Sequence, residues 1–181
     1  GYRGIDTAEG YNNEAGVGAA IRTFLAANPA ISRADLWVAT KVFPGNAAWG
    51  MPVKDSAAVV ASCEASLAKL GLDYVDLYMI HAPFAGPGGR VDEWRGMLEL
   101  KASGKATIVG VSNFSISHLT ELEAAGLEMP FCNQVNEILT GQKCTELCTV
   151  LYSGATSLTP LCMLPGRASP VVAAARARGV L

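Results

Sequence analysis

The sequence predicts an α/β fold made of repeated strand–helix units. Short apolar runs rich in β-branched residues alternate with longer stretches of helical spacing, which is the pattern of successive βα units. Half of the 181 residues are hydrophobic, and this suits a parallel sheet that is covered on both faces. Six strand–helix units fit either a TIM barrel or a doubly wound sheet. The doubly wound sheet normally carries GxGxxG after its first strand, and the chain has no such motif.

The predicted strands are apolar runs bounded by turn-forming or charged residues. In chain order they are Tyr2–Asp6, Leu36–Thr40, Val75–Ile80, Thr107–Val111, Phe131–Val135 and Thr156–Leu161, the last having the weakest pattern. Polar residues follow several of these runs directly. Since the carboxyl ends of parallel strands gather at one edge of a sheet, these residues are the first candidates for a functional site.

The predicted helices lie between the strands. They are Glu14–Ala27, Ser56–Leu70, Val91–Ser103, Ser117–Ala125 and Lys143–Tyr152. The first ends before Asn28-Pro29, because proline cannot continue a helix. The second has apolar residues three and four apart on one face, and Gly71 ends it in a left-handed conformation. The glycine-rich stretch 86–89, before the third helix, predicts a turn.

Composition excludes several classes of function. The net charge is −2 with no basic tract, which gives no electrostatic footprint for nucleic acid. No apolar run approaches the ~20 residues of a membrane span, and no signal peptide is visible. The five cysteines lack CxxC spacing; Cys144 and Cys148 could share a helix face, but no further ligand completes a metal site. We therefore expect no metal and a reducing, cytoplasmic compartment.

Four polar residues carry the chemistry. Asp6, Lys41 and His81 follow three successive strands, and Tyr11 lies in the first loop. A tyrosine needs help to donate a proton, because its ordinary pKa is near 10. A buried lysine held by an aspartate stabilises the phenolate, and a neutral histidine can hold a carbonyl oxygen. If the four converge, the chemistry is protonation of a carbonyl while a hydride arrives from a cofactor.

Each of these residues has a plainer interpretation when it is taken alone. Asp6 could cap a helix start, Tyr11 could be a half-buried loop aromatic, and Lys41 a solvated charge at a strand end. His81 could be a hydrogen-bonded core histidine. The joint pattern favours the functional interpretation, because it is improbable that all four residues occupy these positions by chance.

Five sequence segments stand out for their order and spacing. They are GYRGIDTAEGYNNEAGVGAAI (1–21), DLWVATKV (35–42), SLAKLGLDYVDLYMIHAP (66–83), GKATIVGVSNF (104–114) and NQVNE (133–137). In that order and at that spacing they resemble the aldo-keto reductase family of NADP-dependent oxidoreductases. The resemblance implies a TIM (β/α)8 barrel, here as a single partial domain over residues 1–181. We expect about strands 2–7 of that barrel, with strands 1 and 8 missing, as in a fragment.

The resemblance also implies residue roles. Tyr11 would be the general acid, Lys41 would lower its pKa, Asp6 would hold Lys41, and His81 would position the substrate oxygen. Nicotinamide carboxamide contacts would come from three further positions, which are Ser112, Asn113 and Gln134. The expected cofactor is NADPH, with NADH as an open alternative. For Ser112 and Asn113, a helix N-cap is the plainer interpretation. Leu158 stands where the family has a stacking aromatic.

The sequence also suggests part of a substrate pocket. Phe43 and Trp49 are expected apolar walls, with Phe84 near the mouth and Ala82 leaving room beside His81. The expected partner is a small carbonyl compound, not nucleic acid or a membrane, and the oligomeric state is left open. Two functions remain: an NAD(P)H-dependent reductase of aldehydes or ketones, and a non-catalytic scaffold or truncated, inactive fragment of the same family.

Overall fold

The computed structural model describes residues 2–134 and 161–163. The described part contains one sheet of six strands. In chain order these are β1 (Gly4–Asp6), β2 (Trp37–Val42), β3 (Val75–Ile80), β4 (Ala106–Ser112), β5 (Cys132–Gln134) and β6 (Leu161–Met163). Strands β1 to β5 are parallel to one another, and β6 is antiparallel to β5.

The strands lie side by side in the order in which the chain makes them. A doubly wound sheet reverses its order at a switch point, which separates consecutive strands. No reversal occurs among the described strands, so the five parallel strands form a segment of a barrel wall. Their register is regular, as in the pairs Ile5↔Val38 and Ala39↔Leu77.

The sixth strand differs from its prediction. A further βα unit was expected to bring Thr156–Leu161 in parallel, whereas the observed strand is Leu161–Met163 and runs antiparallel to β5. Residues 156–160 and the predicted helix Lys143–Tyr152 lie outside the described residues. An antiparallel strand does not continue the βα repeat, so the repeat is seen as five parallel strands.

Four helices follow the first four strands. They are α1 (Glu14–Ala27), α2 (Ser56–Leu70), α3 (Pro87–Ala102) and α4 (Ile116–Ala124). Single 3₁₀ turns lie at Glu9–Tyr11, Arg33–Asp35 and Ala47–Trp49. The turn predicted at residues 86–89 is wrong, because α3 begins there. Gly86 is the extended N-cap residue and Pro87 occupies the first helical turn, where proline's fixed φ suits a helix start.

The main core lies between the sheet and the helices. Its largest buried members include Trp94, Tyr78 and Phe114. The helices approach closely through two glycines. A Cβ on Gly18 of α1 would lie 2.2 Å from the carbonyl oxygen of Leu70, and one on Gly96 of α3 would lie 2.5 Å from that of Ser56. Glycine at these positions is what brings α1 and α3 against α2.

A second, smaller cluster lies on the other face of the sheet. It consists of Ala39, Leu77, Met79, Ile108 and Cys132, with Trp37 and Phe131 packed against it. The strands are therefore covered on both faces, as the continuous apolar runs predicted. Among the described helices, none is long and apolar enough to cross a membrane.

Candidate active site

The carboxyl ends of β1, β2 and β3 bring the four predicted catalytic residues to one edge of the sheet. Asp6 ends β1, Lys41 is the next-to-last residue of β2, and His81 directly follows β3. The backbone N–H of His81 donates to the carbonyl of Val42 at 3.0 Å, which continues the pairing past the strand end. Tyr11 ends the 3₁₀ turn after β1.

Lys41 and Asp6 form an ion pair at the base of this group. The Lys41 side chain is 1% exposed, so it is not a solvated charge at a strand end. Its Nζ donates to Asp6 Oδ1 and, at 3.0 Å, to the carbonyl oxygen of Thr7. The carboxylate of Asp6 therefore holds the lysine, as the resemblance implied, and the helix start after β1 is not its partner.

Tyr11 lies between the lysine and the histidine. Lys41 Nζ is 5.4 Å from the centre of the Tyr11 ring. The Tyr11 and His81 ring centres are 5.4 Å apart in an edge-to-face arrangement. The Tyr11 side chain is 52% exposed, so its ring is open to the mouth while it faces both Lys41 and His81. The structure thus brings all four predicted residues together.

The pKa of Tyr11 is raised, first by burial and then by the negative charge of Asp6. This direction is opposite to the lowering by Lys41 that the resemblance implied. The lysine is paired with Asp6, which offsets its positive charge at the phenol. The phenol is therefore protonated at neutral pH, as a proton donor must be, while the raised pKa makes it a weaker acid than a free tyrosine.

The pKa of His81 is lowered, mainly because the imidazole is partly buried and also because it lies near Lys41; Asp6 opposes the effect. The imidazole is therefore neutral at pH 7. A neutral ring can donate one hydrogen bond to an oxygen without adding charge to the site. Its contact with the Tyr11 ring places it at the mouth, whereas a purely structural histidine would face the core.

The three predicted cofactor contacts lie at the ends of β4 and β5. Ser112 Oγ donates to the backbone carbonyl of Gln134 at 2.7 Å. Asn113 Nδ2 donates to the His81 carbonyl at 3.2 Å and to Ser112 Oγ at 3.1 Å. Gln134 Nε2 donates to Asp6 Oδ2 at 2.9 Å. Hydrogen bonds therefore connect these three residues to each other and to the predicted catalytic group.

The helix N-cap interpretation of Ser112 and Asn113 is wrong. The N-cap of α4 is Ser115, whose Oγ accepts from the backbone N–H of His118. The His118 Nδ1 accepts in return from the Ser115 N–H at 3.1 Å. Asn113 instead adopts a left-handed conformation with φ of 59°, which turns the chain at the end of β4.

Three aromatic side chains line one side of the mouth. Phe43 and Trp49 stack with ring centres 6.4 Å apart, and Trp49 meets Phe84 edge to face at 5.2 Å. Trp49 is 64% exposed and Phe84 41% exposed. An exposed aromatic group beside a polar cluster can bind an apolar molecule and present its polar end to the cluster.

Glu9 and Lys54 were not singled out from the sequence, although they hold the loop after β2. Glu9 Oε2 accepts from the backbone N–H of Phe43 at 2.8 Å, and Lys54 Nζ donates to both Glu9 oxygens. These contacts fix the position of Phe43 at the mouth. The partners are 34 and 45 residues from Glu9 in the chain, so no local spacing marks them.

Two other kinds of reactive group to consider over the described residues are metal-ligand clusters and thiols. Over residues 2–134 and 161–163, no three His, Cys, Asp or Glu side chains group as metal ligands. Cys63 and Cys132 are buried free thiols, and burial raises the pKa of each to about 12. Both therefore stay protonated. Cys144, Cys148 and Leu158 lie outside the described residues.

Five parallel strands in consecutive order, with helices between them and a polar cluster at their carboxyl ends, define a segment of a (β/α) barrel. Comparison with known proteins agrees with that class. The chain belongs to the aldo/keto reductase family, whose sequence profile matches residues 1–149. The predicted family and fold class are thereby confirmed, and the structure covers part of the barrel.

Similar proteins include an uncharacterised oxidoreductase, YtbE, of Bacillus subtilis, with 45% identity over 75% of this chain and 45% of that protein. The crystal structure of an aldo/keto reductase from Brucella melitensis is 36% identical, with a TM-score of 0.64 over 75% of this chain and 48% of that one. A Bombyx mori aldo-keto reductase in complex with NADP is 29% identical, with a TM-score of 0.66 over 99% of this chain and 50% of that one. The chain spans about half the length of the relatives it matches.

Proposed function

We propose that the protein is an NAD(P)H-dependent oxidoreductase that reduces aldehydes or ketones to alcohols, with Tyr11 as the general acid. The observation that carries this proposal is the convergence of Tyr11 and His81 beside the Lys41–Asp6 ion pair. A phenol and a neutral imidazole at one mouth can together bind and protonate a carbonyl oxygen. The family membership of the chain supports the same reaction class.

In this proposal each side chain has one task. The imidazole of His81 donates a hydrogen bond that orients the substrate oxygen. Tyr11 then gives its proton to that oxygen, and the Lys41 ammonium, whose Nζ lies 5.4 Å from the centre of the Tyr11 ring, favours the phenolate that remains. The Lys41 side chain is 1% exposed, and charges are weakly screened away from water, although its pairing with Asp6 offsets part of this effect. A reduced nicotinamide, when bound, supplies the hydride to the carbonyl carbon.

The residues at the ends of β4 and β5 fit a nicotinamide carboxamide. A carboxamide offers donors and an acceptor, and Ser112, Asn113 and Gln134 supply two amides and a hydroxyl at the mouth. Such groups can meet both halves of a carboxamide. We propose NADPH as the cofactor, supported by the silkworm relative that was crystallised with NADP, and retain NADH as the alternative.

The aromatic wall suggests the substrate class. Phe43 and Trp49, with Phe84, offer stacked and edge-on ring surfaces in the segments that follow Lys41 and His81. We propose a small hydrophobic aldehyde or ketone whose apolar part lies on this wall. A reducing compartment such as the cytoplasm stays our prediction, and the free thiols of Cys63 and Cys132 support it.

Replacing Tyr11 by phenylalanine tests the proposal. NADPH oxidation by the purified chain would be followed with a panel of hydrophobic aldehydes, and NADPH binding by quenching of tryptophan fluorescence. We expect Tyr11→Phe to lower turnover by at least about a hundredfold, with NADPH binding unchanged, because the ring remains and only the proton donor is lost. Tyr2→Phe is the matched control, since Tyr2 is 90% exposed and lies away from the mouth.

The same measurements distinguish the reductase from a non-catalytic scaffold or inactive fragment. If Tyr11→Phe keeps its turnover, the general-acid role is wrong. If the wild-type chain is folded by circular dichroism and yet NADPH causes no saturable quenching, the non-catalytic interpretation replaces the reductase.

A further inference from the structure

We infer that Gln134 is a positioning residue for the Asp6–Lys41 pair, holding the Asp6 carboxylate from the opposite side of the mouth. Its Nε2 donates to Asp6 Oδ2 at 2.9 Å, while Lys41 Nζ donates to Asp6 Oδ1. The carboxylate is thus held at both oxygens by two different strands. This role is separate from the carboxamide contact proposed above, although its value for catalysis rests on the proposed function.

The contact spans the sheet. Asp6 ends β1 and Gln134 ends β5, and three strands lie between them. Four strand spacings in a flat sheet would separate the two by about 19 Å, which is more than an aspartate and a glutamine can bridge. The hydrogen bond therefore exists because the sheet curves, and it links the first and fifth strands directly across the mouth.

The backbone of Gln134 is fixed, so its side chain starts from a defined position. The carbonyl oxygen of Gln134 accepts from Ser112 Oγ at 2.7 Å and from the backbone N–H of Asn113 at 3.0 Å. These bonds tie the end of β5 to the end of β4. An anchored amide that reaches a half-exposed carboxylate limits its rotation and keeps Oδ1 directed at Lys41.

The charge of Asp6 gives the inference a sharp test. Replacing Gln134 by glutamate would put a second carboxylate where the amide donor now lies. Two carboxylates at hydrogen-bond distance do not both ionise readily, so the pKa of the introduced carboxyl is expected to rise above its ordinary value of about 4.3. The unfolded chain would release this proton between pH 4 and 7 while the folded chain keeps it, so folding weakens as pH rises.

The experiment measures urea unfolding by circular dichroism at pH 4, 5.5 and 7, without any cofactor. Relative to the wild type, we expect Gln134→Glu to lose at least about sevenfold in its folding constant between pH 4 and 7, for a pKa rise of one unit or more. Thr107→Glu is the matched control, because Thr107 is an exposed residue of β4. It receives the same charge far from Asp6 and should show no such loss.

The double variant Asp6→Asn/Gln134→Glu exchanges the amide and the carboxylate. An amide at position 6 can donate to a carboxylate at position 134, so the pH-dependent loss is expected to disappear. If the double variant keeps its stability between pH 4 and 7, the result supports the contact, even if Gln134→Glu alone does not fold at pH 7. The inference is overturned if Gln134→Glu shows no more pH dependence than Thr107→Glu, or if the double variant fails to recover.

These outcomes are independent of the proposed reductase function. The unfolding measurements use the chain without cofactor, so an absence of NADPH binding or turnover would leave their result unchanged. Conversely, loss of the Gln134–Asp6 contact would leave the general-acid role of Tyr11 to be judged by its own experiment.

Discussion

Glu93 of α3 is a buried carboxyl whose ionisation opposes folding. Its side chain is 0% exposed, and neither carboxyl oxygen accepts a hydrogen bond from a residue that the structure describes. Burial raises the pKa of Glu93 to about 8, although Arg90 and Lys54 act in the opposite direction. At pH 7 the carboxyl is therefore protonated in the folded chain and ionised in the unfolded one.

The cost of this burial follows from the two pKa values. The ordinary pKa is 4.5 and the folded one about 8, so between these values the unfolded chain binds fewer protons. Stability then falls as pH rises, by about 1.4 kcal/mol for each pH unit. From pH 4.5 to pH 7 the loss amounts to about 3 kcal/mol. Glu93→Gln keeps the shape of the side chain and removes the ionisation, so this loss should vanish.

Urea unfolding of wild type and Glu93→Gln at pH 4.5 and pH 7 measures the effect. We expect the variant to be about 3 kcal/mol more stable than the wild type at pH 7 and nearly equal at pH 4.5. Glu99→Gln is the control, because Glu99 lies on the same helix and is exposed. Equal differences between Glu93→Gln and wild type at both pH values would refute the reasoning.

Two further predictions concern packing and pH. Gly18→Ala should destabilise the chain by about 1–3 kcal/mol, since its Cβ would lie 2.2 Å from the Leu70 carbonyl oxygen. Gly16→Ala in the same helix has nothing within 4 Å and should stabilise slightly by helix propensity; equal urea midpoints for the two variants would contradict this. The lowered pKa of His81 means that the folded chain binds fewer protons than the unfolded chain. Stability should therefore fall as pH drops below about 6.5, and an imidazole NMR titration midpoint at or above 6.5 would contradict it.

Local sequence pattern was sufficient where an element carries its own start and stop signals. Helices Glu14–Ala27 and Ser56–Leu70 and strand Val75–Ile80 have the predicted bounds. Gly71 ends its helix at φ of 67°, as its side-chain-free backbone allows. The start of α3 was missed because glycines around Pro87 resemble a turn, whereas the proline begins the helix.

Contacts between distant segments could not be predicted in this way. The end positions of Asp6, Lys41 and His81 indicated that they would meet, because parallel strands gather their carboxyl ends at one edge. The antiparallel direction of β6 has no local signal, since strand direction depends on the connection before it. The Gln134–Asp6 contact joins residues 128 apart, and only the curvature of the sheet brings them together.

The consecutive strand order has a consequence for how the chain assembles during synthesis. Each of the strands β2 to β5 pairs with the strand made just before it. A newly made strand can therefore dock as soon as the helix that connects the two strands has formed. No strand among these has to wait exposed for a distant neighbour, which shortens the time that its edge is open to aggregation. The mouth is different, since Asp6 is made 128 residues before its partner Gln134. The wall of the barrel segment can thus grow strand by strand, while the hydrogen bond between Asp6 and Gln134 at its mouth must wait until β5 has been made.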